Sequence, residues 1–317
     1  MSDETARDDP EEHDGEASRT ALTAALMRAV HARLDRPPLI DDPWGDRLVS
    51  AAERAALRRR ILAEADPATR GRLEALGSDE ALLDAVLRAH PTYGGVILRS
   101  RYAEDVLEAV VGHGVRQYVL VGAGLDSFSV RQPPFARALE IFEVDQPASQ
   151  ALKRRRLAEA GVRVAGNVHF AAADLRREPL GAALARAGFS GAVPAFFSWL
   201  GVTIYLSRDA NLATLRAIAT SSAPGSELVF TYIDQRVLDG RRSPALEQMR
   251  TKRAALGEPW LSGFDPTELA AELEPLGLVL LENMNGRELT ARYCAGRTGG
   301  LSAGVAGHVA RVRVTTR

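Results

Sequence analysis

Short apolar runs alternate with longer segments along most of the chain, and this alternation predicts the fold class. Six apolar runs predict strands at 118–121, 139–144, 168–171, 195–200, 228–232 and 278–281. The segments between them predict helices at 148–160, 178–187, 207–221 and 266–276. Strands that alternate with helices form a doubly wound, mostly parallel sheet of the α/β class. A seventh run, 308–315, alternates with a period of two, and we expect it to pair antiparallel within the sheet.

The first third of the chain predicts helices without strands. Residues 1–17 carry eight acidic side chains and almost nothing that can be buried, so we expect a disordered tail. Helices are predicted at 18–34, 44–65 and 79–89, and together residues 18–95 are expected to form a helical cap. The helix predicted at 96–111 has a period near 3.6 and is expected to pack against the sheet.

The segment 235–262 interrupts the alternation with a polar helical stretch that contains Trp260. It is too long for an ordinary connection, and it follows the end of a predicted strand. We therefore predict a lid insertion that closes over a pocket, within one domain that covers residues 18–317.

Composition and charge exclude several classes of function. The chain has 317 residues with 40 basic and 41 acidic side chains, so its net charge of −1 gives no attraction to nucleic acid. Cys294 is the single cysteine, which excludes an intrachain disulfide, and no apolar run approaches the roughly 18 residues of a membrane span. The acidic start does not resemble a secretory signal, and we expect a cytoplasmic protein without membrane contact. The six histidines lack metal-ligand spacing, so no metal site is predicted, and the oligomeric state stays open.

The stretch from Gln117 to Asp145 is the strongest candidate for a binding site. Gly122 and Gly124 follow the first predicted strand, and glycine allows both unusual backbone angles and close approach of a ligand. Asp145 ends the next strand about twenty residues later, where a carboxylate can accept hydrogen bonds from a ribose diol. Ser127 stands where a dinucleotide-binding turn has its third glycine, which favours S-adenosylmethionine, a nucleoside without phosphate, over NAD. The alternative is a tight turn in which Asp145 caps the helix after Pro147.

Eight ordered motifs resemble the leucine carboxyl methyltransferase family of class I S-adenosylmethionine-dependent methyltransferases, which includes polyketide carboxyl O-methyltransferases. They are RTALTAALMRAV, DDPWGDRL, RSRYAED, VGAGLDS, EVDQP, AADL, SWLGVTIYL and ARYCAGRTGG. The resemblance extends from Thr20 to Thr315, and it implies a Rossmann-like methyltransferase domain and a small-molecule acceptor, with natural-product metabolism one setting.

The resemblance also implies roles for individual residues toward the methyl donor. Gly122 is expected to lie against the donor, and Asp145 to bind its ribose hydroxyls. Asp174 and Leu175 follow the third strand where the family holds adenine, although Asp174 alone also fits a helix cap. Arg99 matches the family arginine that meets the methionine carboxylate, because a guanidinium pairs with a carboxylate through two hydrogen bonds.

Two further points concern these positions. Arg99 also fits a surface arginine, with Arg101 its rival. Leu200 stands where the phosphatase-directed members of the family carry a glutamate, which disfavours a phosphatase tail as the acceptor. Tyr205 matches the family tyrosine in the same segment, and its place on the loop after a strand allows it to point toward the acceptor oxygen. It also fits a core position.

These observations predict an O-methyltransferase that acts on a small carboxylate and forms a methyl ester. A carboxylate is already ionised at pH 7 and requires no base, whereas a hydroxyl acceptor requires one, and His90 and Tyr205 are the candidates. Two alternatives remain at this point. One is a nicotinamide-dependent dehydrogenase, and the other is a protein that binds S-adenosylmethionine without turnover.

Overall fold

A computed structural model of the protein describes residues 19–175, 177–240, 251 and 259–315. The predicted tail at 1–17 and the middle of the predicted lid insertion lie outside the described residues.

The described residues contain seven strands and their connecting helices. The strands are β1 (Gln117–Val121), β2 (Glu140–Asp145), β3 (Val168–Ala172), β4 (Ala195–Trp199), β5 (Glu227–Ile233), β6 (Leu278–Asn285) and β7 (Gly307–Val314). The helices are α1 (Arg19–Leu34), α2 (Gly45–Leu48), α3 (Ala51–Glu64), α4 (Pro67–Glu74), α5 (Asp79–Ala89), α6 (Tyr93–Gly112), α7 (Phe128–Arg131), α8 (Pro147–Glu159), α9 (Leu180–Arg186), α10 (Arg208–Ser221), α11 (Gln235–Leu238), α12 (Leu269–Leu273) and α13 (Gly286–Cys294).

All seven strands form one sheet in the order β3-β2-β1-β4-β5-β7-β6. The pairs among the first five strands are parallel, whereas β7 runs antiparallel to both β5 and β6. The predicted mostly parallel sheet with an antiparallel last strand is therefore confirmed. The strand order reverses direction beside β1 and β4, which is where ligands bind in open α/β sheets.

Helices cover both faces of the sheet because successive side chains of each strand point to opposite faces. On β1, Val119 and Val121 pack in the apolar layer that contains Leu215 of α10. Tyr118 and Leu120 pack in the opposite layer, against α6. The sheet is therefore doubly wound, and its strands are buried on both sides.

The amino-terminal helices form a third apolar cluster. It joins Met27 of α1, Leu83 of α5 and Ile97 of α6 to Leu125, which lies in the bend after β1. The helical cap is consequently packed directly against the part of the sheet that carries the glycine bend.

Three element predictions differ from the structure. The helix predicted at 44–65 is divided into α2 and α3, because the Ser50 side chain caps α3 in a capping box with Glu53. The helix predicted at 266–276 shortens to α12 and a 3₁₀ turn. The segment after β6, for which the sequence analysis predicts no helix, contains α13, whose start is fixed by a capping box between Asn285 and Glu288. Within the described ranges, no helix combines the length and the apolar character that a membrane span requires.

Candidate active site

The bend after β1 is a backbone cradle that only glycine permits. Gly122 and Gly124 have φ angles of +69° and +48°, a region that other residues rarely adopt. A Cβ atom at Gly122 would lie 2.5 Å from a methyl carbon of Val202. The amides of Gly122 and Ala123 both donate to the Val144 carbonyl, at 2.8 and 3.1 Å, which attaches the bend to the end of β2.

Asp145, the last residue of β2, lies against this bend. One carboxylate oxygen accepts from the Gly124 amide at 2.5 Å, and the other accepts from the Gln146 amide at 2.7 Å. A helix-capping side chain accepts from the second or third helical amide, so this geometry differs from the capping alternative. Burial raises the pKa of Asp145, and the two backbone hydrogen bonds oppose this rise.

Asp174 and Leu175 follow the neighbouring strand at the same edge of the sheet. Ala172 pairs with Asp145 across β2 and β3, which places the two strand ends side by side. The Asp174 carboxylate lies 3.8 Å from the Arg177 guanidinium, and Leu175 is half-buried against the apolar layer of the sheet. Asp145, Asp174 and the glycine bend therefore share one edge.

Arg99 of α6 presents its guanidinium to a second glycine bend, after β4. A Cβ atom at Gly201, whose φ is +73°, would lie 2.6 Å from Nη2 of Arg99. Within the described part of the chain, the Arg99 side chain makes no hydrogen bond or ion pair. Burial, with a smaller contribution from the charge of Arg28, lowers its pKa to about 10. Its rival Arg101 is instead paired with Asp105, so Arg99 is the arginine of the two that remains available to an anion.

Tyr205 lies on the 3₁₀ turn Thr203–Tyr205 that follows the same bend. Its hydroxyl is 3.3 Å from Oγ1 of Thr20, so it connects the end of β4 to the start of α1. Leu200, two residues before Val202, packs into the apolar layer beneath α6.

A cavity of about 280 Å³ opens beside these residues, above the ends of β4 and β5. Its wall includes both Arg99 and Tyr205, whereas Gly122, Gly124, Asp145, Asp174 and Leu175 lie outside it. The predicted site residues thus fall into two groups, one at the β1–β3 strand ends and one on the cavity wall. Of the described residues that line the cavity, Arg99 alone carries a permanent charge.

Sequence reasoning missed an aromatic pair on the cavity wall, Tyr232 and His308. Their rings stack with centroids 5.0 Å apart, and the Tyr232 hydroxyl donates to Oδ1 of Asn283 at 2.9 Å. The sequence indicated the strand that contains His308, but only the β5–β7 register places it opposite Tyr232. His90, a candidate base for a hydroxyl acceptor together with Tyr205, contacts Thr92 through Nδ1 and is absent from the described cavity wall.

A buried ion pair that was also missed joins three of the eight motifs. Nε of Arg28 in RTALTAALMRAV lies 2.6 Å from Oδ2 of Asp42 in DDPWGDRL. Nη2 of Arg28 donates to the carbonyl of Leu125 in VGAGLDS at 2.9 Å. Arg28 and Asp42 are only 6% and 1% exposed, so α1 is fixed to the glycine bend by charge as well as by packing. The described residues contain no group of three or more histidine, cysteine or acidic side chains that could hold a metal ion.

Comparison with known proteins identifies the relatives of this chain. Residues 21–219 match the family model "Leucine carboxyl methyltransferase". The chain is 33% identical over 292 residues to the Bacillus subtilis protein called "Putative S-adenosyl-L-methionine-dependent methyltransferase YktD", covering 91% of this chain and 95% of that protein. A Mycolicibacterium smegmatis protein of the same description is 34% identical over 220 residues, 69% of this chain and 68% of its own length.

A solved structure supports the same fold. The crystal structure of a "putative methyltransferase" from Thermobifida fusca aligns over 96% of this chain and 97% of its own, with a TM-score of 0.54 and 17% identity. The family model and the two relatives above establish a methyltransferase whose methyl donor is S-adenosyl-L-methionine. The chain belongs to the leucine carboxyl methyltransferase family.

Proposed function

We propose that the protein transfers the donor methyl group to a carboxylate oxygen of a small molecule and so forms a methyl ester. The cavity wall carries this proposal: its described residues include one cation, Arg99, and no acidic side chain. Such a wall places no acidic side chain against an anionic acceptor, so a carboxylate would meet no repulsion from the described residues. The family description, which names a carboxyl group, agrees with this chemistry.

The donor is expected to bind across the two groups of site residues. Gly122 and Gly124 let it approach the backbone, Asp145 accepts from its ribose hydroxyls, and Asp174 with Leu175 holds the adenine. Arg99 pairs with its methionine carboxylate, which supplies the anionic partner that this guanidinium lacks among the described residues. The fit of the site to the donor therefore follows from an available cation, a glycine cradle and two acids at neighbouring strand ends.

Bound S-adenosyl-L-methionine supplies an electrophilic methyl group with a neutral thioether as the leaving group. The protein's part is to align the acceptor oxygen with that methyl and to exclude water. A carboxylate is deprotonated at neutral pH, so no side chain has to remove a proton.

Tyr205 is the residue we expect to orient the acceptor oxygen. It lies on the cavity wall near Arg99, and its hydroxyl contacts Thr20 at 3.3 Å. Replacing Tyr205 with Phe should lower kcat while the affinity for S-adenosylhomocysteine stays unchanged. A Thr20→Val variant is the matched comparison, since it removes the hydroxyl that contacts Tyr205 and leaves the Tyr205 hydroxyl in place. Equal kcat values for Tyr205→Phe and the native protein would assign Tyr205 to packing alone.

One observation favours a hydroxyl acceptor as the second candidate. His308 lies on the cavity wall, and an imidazole is the usual general base for removing a hydroxyl proton near neutral pH. In that case kcat should fall at acidic pH and His308→Gln should lose activity. For a carboxylate acceptor, the same variant should retain it.

The experiment that tests the proposal uses labelled S-adenosyl-L-methionine with bacterial metabolite extracts. Mild base releases the methyl group of an ester as methanol but leaves an ether intact, so base-labile product supports carboxylate methylation. Base-stable product would overturn it in favour of the hydroxyl candidate. Calorimetry with NAD and with S-adenosyl-L-methionine checks the dehydrogenase alternative, which family membership already disfavours. Formation of S-adenosylhomocysteine with any acceptor excludes binding without turnover.

A further inference from the structure

The glycine bend after β1 accepts a side-chain hydrogen bond from α1 at the residue that follows Gly124. Nη2 of Arg28 donates to the Leu125 carbonyl at 2.9 Å. The amide of Gly124 donates to the Asp145 carboxylate at 2.5 Å. Neighbouring residues of one short bend are therefore held by α1 on one side and by the end of β2 on the other.

Arg28 is itself held in place, because a second nitrogen of the same guanidinium has a partner. Its Nε lies 2.6 Å from Oδ2 of Asp42, and Oδ1 of Asp42 accepts from the Trp44 amide at 3.1 Å. A Cβ atom at Gly45 would lie 2.1 Å from the Ala25 carbonyl oxygen, so this segment packs directly on the backbone of α1. The planar guanidinium consequently fixes the Leu125 carbonyl relative to the Asp42 carboxylate.

Stability alone does not account for a charged side chain at this point. The apolar cluster that contains Met27 and Leu125 already packs α1 against the bend. A buried ion pair loses hydration, and apolar residues of similar volume often stabilise a protein equally well. A hydrogen bond differs from apolar packing because it fixes the direction in which the Leu125 carbonyl points. Arg28 is also absent from the described cavity wall, so it does not reach the acceptor from there.

Resting on the donor placement given under the proposed function, we propose that Arg28 is a positioning residue for the methyl donor. Arg28 acts through Leu125: it holds the bend so that the Gly124 amide keeps the Asp145 carboxylate oriented toward the ribose hydroxyls. Asp42 orients the Arg28 guanidinium. The contribution of Arg28 to donor affinity is separate from its contribution to stability.

The Arg28→Lys variant separates the hydrogen bond from the charge. A lysine ammonium keeps a positive charge near Asp42, but it lacks the planar fork that contacts Asp42 and Leu125 together. We expect S-adenosylhomocysteine to bind about tenfold more weakly by calorimetry, equivalent to the loss of about one hydrogen bond to a charged group. Native affinity in this variant would refute the proposal.

The pH dependence of this affinity is a readout that a general loss of stability would not change. Burial raises the pKa of Asp145, and the hydrogen bonds from the Gly124 and Gln146 amides and the charge of Lys153 lower it. A displaced bend weakens only the Gly124 contribution. In Arg28→Lys, the decline of affinity on acidification should therefore begin at a higher pH than in the native protein. An identical pH profile would contradict the proposal.

A double variant separates positioning from folding. Arg28→Met leaves the Asp42 carboxylate buried without its cation, whereas Arg28→Met combined with Asp42→Leu removes both charges. The double variant should recover part of the stability in urea that Arg28→Met loses. Its affinity for S-adenosylhomocysteine should stay as weak as that of Arg28→Met, because neither variant restores the hydrogen bond to Leu125. Affinity that recovers together with stability would overturn the proposal and leave a purely structural pair.

Glu227→Gln is the matched control for the loss of a buried ion pair. Glu227 accepts from Nε of Arg311 at 2.7 Å and from Nη2 of Arg313 at 2.8 Å. It begins β5 and lies at the amino ends of the parallel strands, whereas the candidate site lies at their carboxyl ends. Its loss should lower stability and leave the affinity for S-adenosylhomocysteine unchanged. Weaker binding in this control would show that lost stability alone reduces affinity, which would overturn the assignment of Arg28.

Asp145→Asn distinguishes this proposal from the donor placement on which it rests. Native affinity for S-adenosylhomocysteine in Asp145→Asn would refute the placement, and with it any action of Arg28 through Asp145. Weaker binding in Asp145→Asn together with native binding in Arg28→Lys would leave the placement standing and refute the role of Arg28. Ester formation is tested separately, by the base lability of the methylated product.

Discussion

Replacing Arg99 with methionine should make the ligand-free protein more stable and its complex with the methyl donor weaker. The Arg99 pKa falls from 12.5 to about 10 because burial disfavours the charged guanidinium. A pKa change of one corresponds to about 1.4 kcal/mol, so keeping the guanidinium charged costs the folded protein roughly 3 kcal/mol at most. Water that reaches Arg99 through the cavity reduces this, and we expect Arg99→Met to raise the free energy of unfolding by roughly 1 to 3 kcal/mol.

The effect on binding has the opposite sign. Loss of a charge-assisted hydrogen-bonding partner of the methionine carboxylate is worth roughly 1.5 to 3 kcal/mol, or about a 10- to 150-fold weaker Kd. Urea unfolding gives the stability of the ligand-free protein, and calorimetry with S-adenosylhomocysteine gives the affinity. Both measurements belong at pH 7, well below the Arg99 pKa, where the guanidinium is charged.

Arg101→Met is the matched control, two residues along the same helix. Arg101 is paired with Asp105 and about a third of its side chain is exposed, so its loss should change stability by less than ~1 kcal/mol and leave affinity unaltered. If Arg99→Met lowers stability and leaves affinity intact, Arg99 has a structural partner and the assignment of the donor carboxylate to it is wrong.

Three other predictions concern the bends and the helix packed against them. Burial raises the pKa of Asp145, so the affinity for S-adenosylhomocysteine should decline on acidification at pH values still above 3.8. The Asp145→Asn variant should bind S-adenosylhomocysteine about 10- to 100-fold more weakly at pH 7 and should lack this decline. An unchanged Kd would remove Asp145 from the site. Gly201→Ala should displace the Arg99 guanidinium and cost about 1 to 2 kcal/mol of stability, with at least tenfold weaker binding by calorimetry; native affinity would contradict the close approach. Arg28→Met should lower the free energy of unfolding, measured with urea, by about 3 to 5 kcal/mol, and adding Asp42→Leu should restore part of that loss. If the losses from the two substitutions simply add, the two residues are not coupled.

The sheet could be predicted from the sequence because its strands are continuous apolar runs. The run from Tyr118 to Val121 is buried on both faces, and such runs differ clearly from amphipathic helices. The fourth strand was extended one residue too far, to Leu200, because the positive φ of Gly201 is a backbone property that apolar periodicity does not report.

The candidate site, like the sheet, could be predicted from the sequence only in part. Asp145 could be predicted from its position at the end of a strand, and the hydrogen bond that its carboxylate accepts from the Gly124 amide agrees with that prediction. His308 and Arg28 do not follow, because each depends on contacts between distant parts of the chain. His308 faces Tyr232 only through the register of β7 on β5, and Arg28 meets Leu125 across 97 positions.

Helix α1 contributes different residues to the cavity wall and to the contact with the bend after β1, which has a consequence for engineering. Its residues Thr20, Thr23, Ala24 and Met27 line the cavity, whereas Arg28 holds the bend after β1. A library restricted to the four lining positions would vary the cavity wall while the Arg28 hydrogen bond to the bend after β1 is kept. The shape of the cavity can therefore be varied from this helix while the Arg28 contact with the bend is kept.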